Sequence, residues 1–441
     1  MERFLMKDLA DWKDSARRKP LVLNGARQVG KTWLLKEFGL RHFESVAYVS
    51  FDNNPGLAAQ FDEGYDLSRL LLMIQAESGQ KIVPGKTLVV LDEIQECPRA
   101  LTSLKYFCEN APEFAVAAAG SLLGVTFHEG TGYPVGKVDL FNLHPLSFRE
   151  YLDATSNSTL REVVDSGDEQ LLGSLTVKLE GLLKQYYFIG GMPEAVATFV
   201  DSNDLDAVRA VQDGILFGYE RDISKHLGST GAEYALSAWR SLPSHLGQEN
   251  KKFVFGHIRD GARARDYRSA ITWLVQAGIA SKVNRVSKPG IPLAAYTDES
   301  AFKLFVLDIG LLCALSGLDA SSIVDGNALF TEFKGALTEQ YVCQQLVSDC
   351  SLSPYYWSAE NSRGEIDFLV QRGSRIYPIE VKAEENLRSK SLRAFSERYP
   401  DTIPRRFSLS GFRDQGWMQN VPLFAIGNPR NWEQTTPIAS L

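Results

Sequence analysis

A short apolar run that leads directly into a glycine-rich loop constrains this chain more than any other feature. Leu21–Asn24 has the composition of a buried strand, and residues 25–32 continue it with the pattern Gly-x-x-x-x-Gly-Lys-Thr. Glycines let such a loop turn backbone N–H groups toward an anion, and the helix predicted after it adds its N-terminal dipole. The run therefore predicts a phosphate-binding P-loop, with Lys31 on the β- and γ-phosphates and Thr32 on Mg²⁺. A coincidental glycine-rich turn is the alternative, but it would lack this strand and helix.

The residues expected to surround the nucleotide phosphates follow from the loop pattern. They are Gly25, Ala26, Arg27, Gln28, Val29, Gly30, Lys31, Thr32 and Trp33.

A second apolar strand, predicted over residues 88–91, ends in an acidic pair. Asp92 is placed to hold Mg²⁺ through its water shell, and Glu93 is placed to orient and deprotonate an attacking water. The alternative is a surface acidic pair at a strand end. Because a P-loop precedes this strand in the chain, the pair is better interpreted as the second half of a nucleotide-hydrolysing site.

These two motifs make the chain similar to the AAA+ type of P-loop ATPases. Within that type it resembles bacterial and archaeal ATP-binding proteins that carry a C-terminal domain of unknown function (the DUF4143 type). Further stretches that carry the resemblance are residues 119–121, 143–151, 190–194 and 308–311. The resemblance implies an enzyme that binds and hydrolyses ATP with Mg²⁺. The expectation of ATP rather than GTP rests on this resemblance.

The resemblance also implies residues that sense or neutralise the γ-phosphate. Ser121, at the end of a strand predicted over residues 116–119, corresponds to the sensor, although a simple Gly-Ser turn is an alternative. Such ATPases are commonly oligomers in which an arginine reaches the site of the neighbouring subunit. Arg221 is the first candidate for this arginine and Arg149 the second, while an ordinary surface ion pair is the alternative for both.

Length and composition fit a multidomain protein of the cytoplasm. The chain has 441 residues, of which 44% are hydrophobic and 23% charged. Its five cysteines form no Cys-x-x-Cys pair, which favours reduced thiols over metal or disulfide roles. The N-terminus is too polar for a signal peptide, and no apolar stretch reaches membrane-spanning length. We therefore expect no membrane partner.

The pattern of strands and helices predicts an α/β protein with four parts. Residues 1–150 form a P-loop AAA+ core with a parallel sheet, whose further strand is predicted over residues 46–51, and residues 151–230 form a helical lid. Residues 231–320 form a winged-helix-like domain, with a hairpin over residues 283–286 and 292–296. Residues 325–435 form a C-terminal α/β domain of restriction-endonuclease type.

The middle of the chain is basic although the whole chain is acidic. Residues 251–290 contain nine Lys or Arg and two Asp, which gives +7 in a chain of net charge −7. A basic helix-turn-helix pattern favours contact with DNA phosphates. The alternatives are a solvated basic face, or a face that docks onto the acidic domains of the same chain, and winged helices also mediate protein contacts. The candidate contacts are Arg263, Arg265, Arg268, Lys282, Arg285 and Lys288.

Near the C-terminus, two alternating strands place acidic residues close to a lysine. Asp367 lies in one predicted strand, and Glu380 and Lys382 lie in the next, facing the same side of a hairpin. Carboxylates that hold a metal beside a lysine that activates water are typical of Mg²⁺-dependent nucleases. The pattern resembles the PD-(D/E)xK nuclease fold, in particular Holliday-junction resolvases, and this resemblance implies Glu339 as a further ligand. An exposed ion pair of Glu380 and Lys382 is the alternative.

Two functions from different classes remain open at this point. The first is an ATPase whose nucleotide state controls DNA binding or processing through the basic segment and the nuclease-like domain. The second is a nucleotide-switched scaffold in which the C-terminal fold cleaves nothing and mediates oligomerisation or partner binding.

Overall fold

The computed structural model describes residues 1–120, 134–320, 328–359, 364–383 and 389–432. The chain forms two compact units. The first consists of Met1–His144 with Trp273–Ile279, and the second of Pro145–Thr272 with Ala280–Leu441. Among the described helices, none is both long enough and apolar enough to cross a membrane.

The first unit is built on a five-stranded parallel sheet with the order β2-β3-β4-β1-β5. Its strands are β1 (Leu21–Asn24), β2 (Ser45–Ser50), β3 (Thr87–Asp92), β4 (Ala115–Gly120) and β5 (Asp139–Asn142). The sequence predicted the first four to within about one residue at each end, and it missed β5. Every residue of β1, β3 and β4 is buried, as expected of central parallel strands covered on both faces.

Helices follow the strands in the order expected of a P-loop fold. They are α1 (Leu5–Asp14), α2 (Lys31–His42), α3 (Pro55–Asp62), α4 (Leu67–Ser78) and α5 (Pro98–Asn110). One apolar core joins the sheet to this layer, with Val22, Val89 and Leu91 of the strands packed against Phe61 and Phe107 of the helices. The core leaves the carboxyl ends of β1 and β3 at the same edge of the sheet, where ligands bind in folds of this kind.

The second unit begins with helices. They are α6 (Phe148–Ala154), α7 (Ser158–Ser166), α8 (Glu169–Ile189), α9 (Pro193–Ser202), α10 (Leu205–His226), α11 (Gly228–Arg240) and α12 (Leu242–Leu246). Later in the chain come α13 (Ala264–Gln276), which runs across the division between the units, α14 (Ile309–Leu315), α15 (Ala328–Ser348) and α16 (Lys390–Arg398).

An eight-stranded sheet with the order β12-β13-β11-β10-β9-β8-β6-β7 completes the second unit. Its strands are β6 (Ala280–Val286), β7 (Thr297–Val306), β8 (Tyr355–Ser358), β9 (Glu365–Arg372), β10 (Arg375–Lys382), β11 (Arg405–Ser408), β12 (Arg413–Asp414) and β13 (Gln419–Pro422). The predicted hairpin near the C-terminus is β9 and β10, which pair antiparallel around a turn after Arg372.

The hairpin predicted in the middle segment differs from the one observed. Residues 292–296 were expected to be its second strand, but Leu293–Tyr296 forms a 3₁₀ turn and the strand is β7. Pro292 has no N–H to give to a ladder, and the next N–H, that of Leu293, donates to the Gln371 side chain at 2.9 Å. The β6–β7 pair also continues through β8 into the larger sheet, across the boundary predicted near residue 320.

A buried carboxylate joins several segments of the second unit. Asp308 accepts hydrogen bonds from the backbone N–H of Gly191 at 2.6 Å and from the Gln344 side chain at 2.9 Å. Gln344 also donates to the hydroxyl of Tyr186, which in turn donates to the carbonyl of Leu146 at 2.5 Å. Stretches whose role the sequence left undefined therefore meet in one polar network between α6, α8, α14 and α15.

Candidate functional site

The P-loop lies between β1 and α2, and its geometry follows from its sequence. Gly30 adopts a φ of 93°, a left-handed conformation that glycine takes without strain, and α2 begins at the next residue. Lys31 is only 7% exposed. Its ammonium donates to the carbonyls of Gly25 and Ala26, both at 2.9 Å, so the side chain curls back into the loop.

This position makes Lys31 easier to deprotonate than an ordinary lysine. Burial lowers the pKa of Lys31 to about 8, against the opposing effect of the nearby carboxylates of Glu93 and Asp92. A lysine in this state gains charge when anionic phosphates come close, because they favour the ammonium form.

The two halves of the predicted site meet at Asp92. The hydroxyl of Thr32, from the P-loop, donates to Asp92 Oδ2 at 2.7 Å, and the hydroxyl of Tyr48 on β2 donates to the same oxygen at 2.9 Å. The backbone N–H of Glu93 donates to the other carboxylate oxygen at 3.0 Å. One hydroxyl and one carboxylate side by side fit Mg²⁺, which takes oxygen ligands and usually only one or two carboxylates beside the substrate phosphates.

Glu93 follows β3 in an unusual backbone conformation. Its φ is 51°, in the left-handed region, and this turns the side chain out of the strand direction. Its carboxylate accepts a hydrogen bond from the side chain of Gln95, two residues later. Gln95 and Tyr48 are site residues that the sequence analysis did not name. Gln95 lies two residues after the acidic pair in the sequence, whereas nothing in the spacing pointed to Tyr48, because its approach depends on the pairing of β2 with β3.

The candidates for contact with the γ-phosphate lie elsewhere. Ser121 lies outside the described residues. Arg221, on α10, lies beside the ring of Phe217, which is 64% exposed. Arg149 is bound within its own unit, with its guanidinium 2.7 Å from Asp165 and 3.0 Å from Asp349.

The basic residues of the middle segment divide into two groups. Arg263, Arg265 and Arg268, at and before the start of α13, are exposed, and so is Lys288. Two of these four also have a partner: Arg265 lies 3.4 Å from Asp266, and the Lys288 ammonium lies 4.7 Å from the centre of the Tyr296 ring. Arg285 and Lys282, on β6, are less exposed. The guanidinium of Arg285 pairs with Asp298 at 2.6 Å, and the ammonium of Lys282 lies 4.7 Å from the centre of the Phe302 ring.

The second unit brings the nuclease-like residues to one face of its sheet. Ile379 pairs with Phe368, so the ladder continues toward Glu380 and Asp367 on neighbouring strands. Asp367 Oδ2 accepts a hydrogen bond from the N–H of Val381 at 2.7 Å, and Lys382 pairs with Glu380 at 2.9 Å.

Glu339, on α15, faces the same cluster, but its nearest charged partners are lysines. Lys251 lies 2.7 Å and Lys303 3.6 Å from its carboxylate. Lys303 also pairs with Glu365 at 2.5 Å. Burial and then the charge of Glu339 raise the pKa of Asp367 to about 7. Neither Lys251 nor Lys303 had been singled out from the sequence, because both are distant from the motif along the chain.

Three family models match different regions of the chain. Residues 17–152 match the family described as AAA domain. Residues 180–322 and 334–415 match two families described as domains of unknown function, DUF8612 and DUF4143. No curated protein matches the chain.

Solved structures similar to this chain include one described as a Walker-type ATPase. The Walker-type ATPase PABY2304 of Pyrococcus abyssi is 14% identical, with a TM-score of 0.43 over 70% of this chain and 94% of its own. The Aeropyrum pernix ORC1 protein in complex with DNA is 15% identical, with a TM-score of 0.26 over 71% and 90%. AMPPCP-bound DnaA from Aquifex aeolicus is 12% identical, with a TM-score of 0.26 over 60% and 73%. The family models therefore show an N-terminal region similar to AAA domains and a C-terminal region similar to the DUF4143 family.

Proposed function

We propose that this protein binds ATP and hydrolyses it with Mg²⁺ in the cytoplasm. The observation that carries the proposal is the 2.7 Å hydrogen bond between Thr32 and Asp92, which brings the P-loop and the acidic strand end into one site. ATP is proposed rather than GTP because the chain resembles AAA+ ATPases, and the match of residues 17–152 to the AAA domain agrees.

Each side chain of this site has a distinct task in the proposed reaction. The backbone N–H groups of the loop and the ammonium of Lys31 bind the phosphates. Thr32 and Asp92 hold Mg²⁺, which supplies positive charge to the phosphate oxygens. Glu93 takes the proton of the attacking water, and Gln95 holds the Glu93 carboxylate in a fixed orientation.

The decisive test is Mg²⁺-dependent ATP hydrolysis by the wild type, Lys31→Ala and Glu93→Gln. We expect Lys31→Ala to lose nucleotide binding, and Glu93→Gln to bind normally but turn over about 10²- to 10⁴-fold more slowly. Glu96→Gln, an exposed neighbour, is the matched control and should behave as the wild type. Unchanged turnover in Glu93→Gln would rule out its role as the base.

We further propose that the nucleotide state controls binding to DNA through the exposed arginines of the middle segment. Arg263, Arg265 and Arg268 support this, because they lie exposed at one helix start within a basic region of an acidic chain. Arg285 and Lys282 are weaker candidates, since their charges already lie against Asp298 and the Phe302 ring.

The DNA proposal is tested by reversing the three charges to Glu and measuring affinity for duplex DNA at several salt concentrations. We expect weaker binding for all sequences, with a salt slope shallower by about three. Reversal of Lys81, Lys105 and Lys178, which are exposed elsewhere, adds the same negative charge and serves as the control. An equal loss of DNA affinity in both variants would show that the effect comes from net charge alone.

For the assembly and the C-terminal domain we favour the scaffold hypothesis. We propose a homo-oligomer in which Arg221 of one subunit reaches the nucleotide of the next, an idea supported by its exposed surroundings on α10. We also propose that the nuclease-like domain cleaves no DNA, because lysines already lie against its carboxylates. Nicking of duplex or branched DNA that disappears in Lys382→Ala would instead support a nuclease.

A further inference from the structure

The four carboxylates of the cluster in the second unit come from three separate elements. Helix α15 contributes Glu339, strand β9 contributes Glu365 and Asp367, and strand β10 contributes Glu380. A nuclease of the fold that this cluster resembles would use such carboxylates to hold a divalent metal ion. Whether they fit that task depends on which positive charges already lie among them.

Lys303 lies at the centre of the cluster. It projects from strand β7, and only 1% of its side chain is exposed. Its ammonium lies 2.5 Å from a Glu365 oxygen and 3.6 Å from Glu339 Oε2. An ammonium has three N–H donors, so it can serve several carboxylates at once.

Lys251 supplies a second internal cation from a different part of the chain. It lies in the loop after α12, is buried, and places its ammonium 2.7 Å from Glu339 Oε1. Glu339 Oε1 is therefore paired with the Lys251 ammonium, while Oε2 has the Lys303 ammonium 3.6 Å away and accepts no hydrogen bond among the described residues. A metal ion ligated by Glu339 would have to displace at least one of these groups.

Displacement of Lys303 is disfavoured by its position. Its backbone pairs with Val283 of β6 within the sheet, and its side chain is almost wholly buried. A divalent ion placed beside it would add strong repulsion at low dielectric, and a buried ammonium without a partner is costly. Consistent with this, no group of three or more His, Cys, Asp or Glu within the described ranges is arranged to hold a metal ion.

We propose that Lys303 and Lys251 are the resident counter-ions of this cluster, so that it binds no divalent metal and instead clamps α15 to β7, β9 and the loop at the start of the basic segment. The residues present thus do not fit the metal that the nuclease-like pattern implies. The clamp joins the middle segment to the C-terminal domain through buried charge rather than through catalysis.

The test compares the full-length wild type with Lys303→Met in thermal unfolding, with EDTA or with Mn²⁺ and without nucleotide. The melting temperature of the wild type should be the same in EDTA and in Mn²⁺. Mn²⁺ binding measured by calorimetry should be the same for the wild type and for Asp367→Asn. Lys303→Met keeps the side-chain length but leaves the carboxylates without their cation, so its melting temperature in EDTA should fall by roughly 10 °C. Mn²⁺ should recover part of that loss, because the vacated carboxylates can then take a metal.

Two further variants make the result independent of how well Lys303→Met folds. Lys282→Met is the matched control, since Lys282 lies on the paired strand β6 against an aromatic ring, and it should not respond to Mn²⁺. Lys251→Met removes only the outer cation and should show a smaller loss with the same recovery. Wild-type Mn²⁺ binding that Asp367→Asn abolishes, or lysine variants as stable as the wild type, would overturn the proposal.

Discussion

At the scale of single residues, hydrogen bonds between side chains fix the orientation of the groups in the proposed nucleotide site. Asp92 is held by Thr32, by Tyr48 and by a backbone N–H, which leaves its carboxylate little freedom to rotate. Glu93 has a single side-chain partner of this kind, Gln95, among the contacts described. Among the contacts described, the orientation of the Glu93 carboxylate, which we propose as the base, therefore depends on one side-chain hydrogen bond.

Loss of that bond should slow hydrolysis without preventing nucleotide binding. A hydrogen bond to a charged group contributes about 1.5–3 kcal/mol, so Gln95→Ala should lower kcat roughly 10- to 100-fold with little change in KM. Gln95→Glu would place two carboxylates together and should be worse. Gln80→Ala, an exposed glutamine of the same unit, is the control, and steady-state kinetics give both constants. A change confined to KM would show that Gln95 serves binding instead.

Lys31 should make nucleotide binding depend on pH. Its pKa of about 8 is below the usual lysine value because the group is buried, and phosphate anions will raise it on binding. Binding near pH 8 should therefore take up a proton, and affinity should fall as the pH rises above about 8. Calorimetry in buffers of different ionisation enthalpy measures the uptake. Lys31→Arg, which stays charged, should remove the effect, and binding without proton uptake in the wild type would contradict it.

At the scale of elements, the buried network around Asp308 connects stretches that are distant in the sequence. Its carboxylate binds the loop after α8 and the side chain of Gln344 on α15, and it also caps α14 through the N–H of Leu311 at 3.1 Å. Gly191 approaches so closely that a Cβ there would lie 2.1 Å from the carbonyl oxygen of Leu146. Only glycine fits at this point.

Replacement of one carboxylate oxygen of Asp308 by an NH₂ group should therefore lower the stability of the second unit. Asp308→Asn brings N–H groups against the donors of Gly191 or Leu311, and one buried unsatisfied group costs about 1–3 kcal/mol. We expect a lower midpoint of thermal unfolding and unchanged nucleotide affinity. Asp206→Asn, an exposed position on α10, is the control. Equal stability of the two variants would show that the network is dispensable.

At the scale of the whole molecule, the sequence predicted the nucleotide-binding unit much better than the rest. The P-loop and the Asp-Glu pair are local patterns, and the strands that carry them are buried apolar runs, so β1 to β4 could be read directly. The fifth strand, β5, lies at the sheet edge with alternating exposure and gave no such run.

Long-range contacts account for what the sequence did not predict. Lys251 and Lys303 lie far along the chain from Asp367 and Glu380, and only the fold brings them together. Similarly, Arg285 looked like a free surface cation until the pairing of β6 with β7 placed Asp298 beside it. Charge counts along a segment therefore overestimate its free charge.

A chain that begins after residue 325 should fold poorly. It would lack β6 and β7, and β8 would become an exposed sheet edge, which promotes association between chains. Lys303 and Lys251 would also be missing from the carboxylate cluster. We expect this fragment to aggregate on expression, whereas residues 145–441 should remain soluble. Size-exclusion chromatography compares them, and a monomeric short fragment would show that the domain is self-sufficient.

The continuous sheet also has a consequence for inheritance. Recombination preserves a protein only when the exchanged piece keeps its own hydrogen-bonded strands, and here the strand order β9-β8-β6-β7 crosses from one matched family region into the other. A gene segment that encodes residues 334–415 alone would leave behind the neighbours of its own strands. The middle and C-terminal regions of this protein are therefore expected to be inherited together, as one unit of recombination.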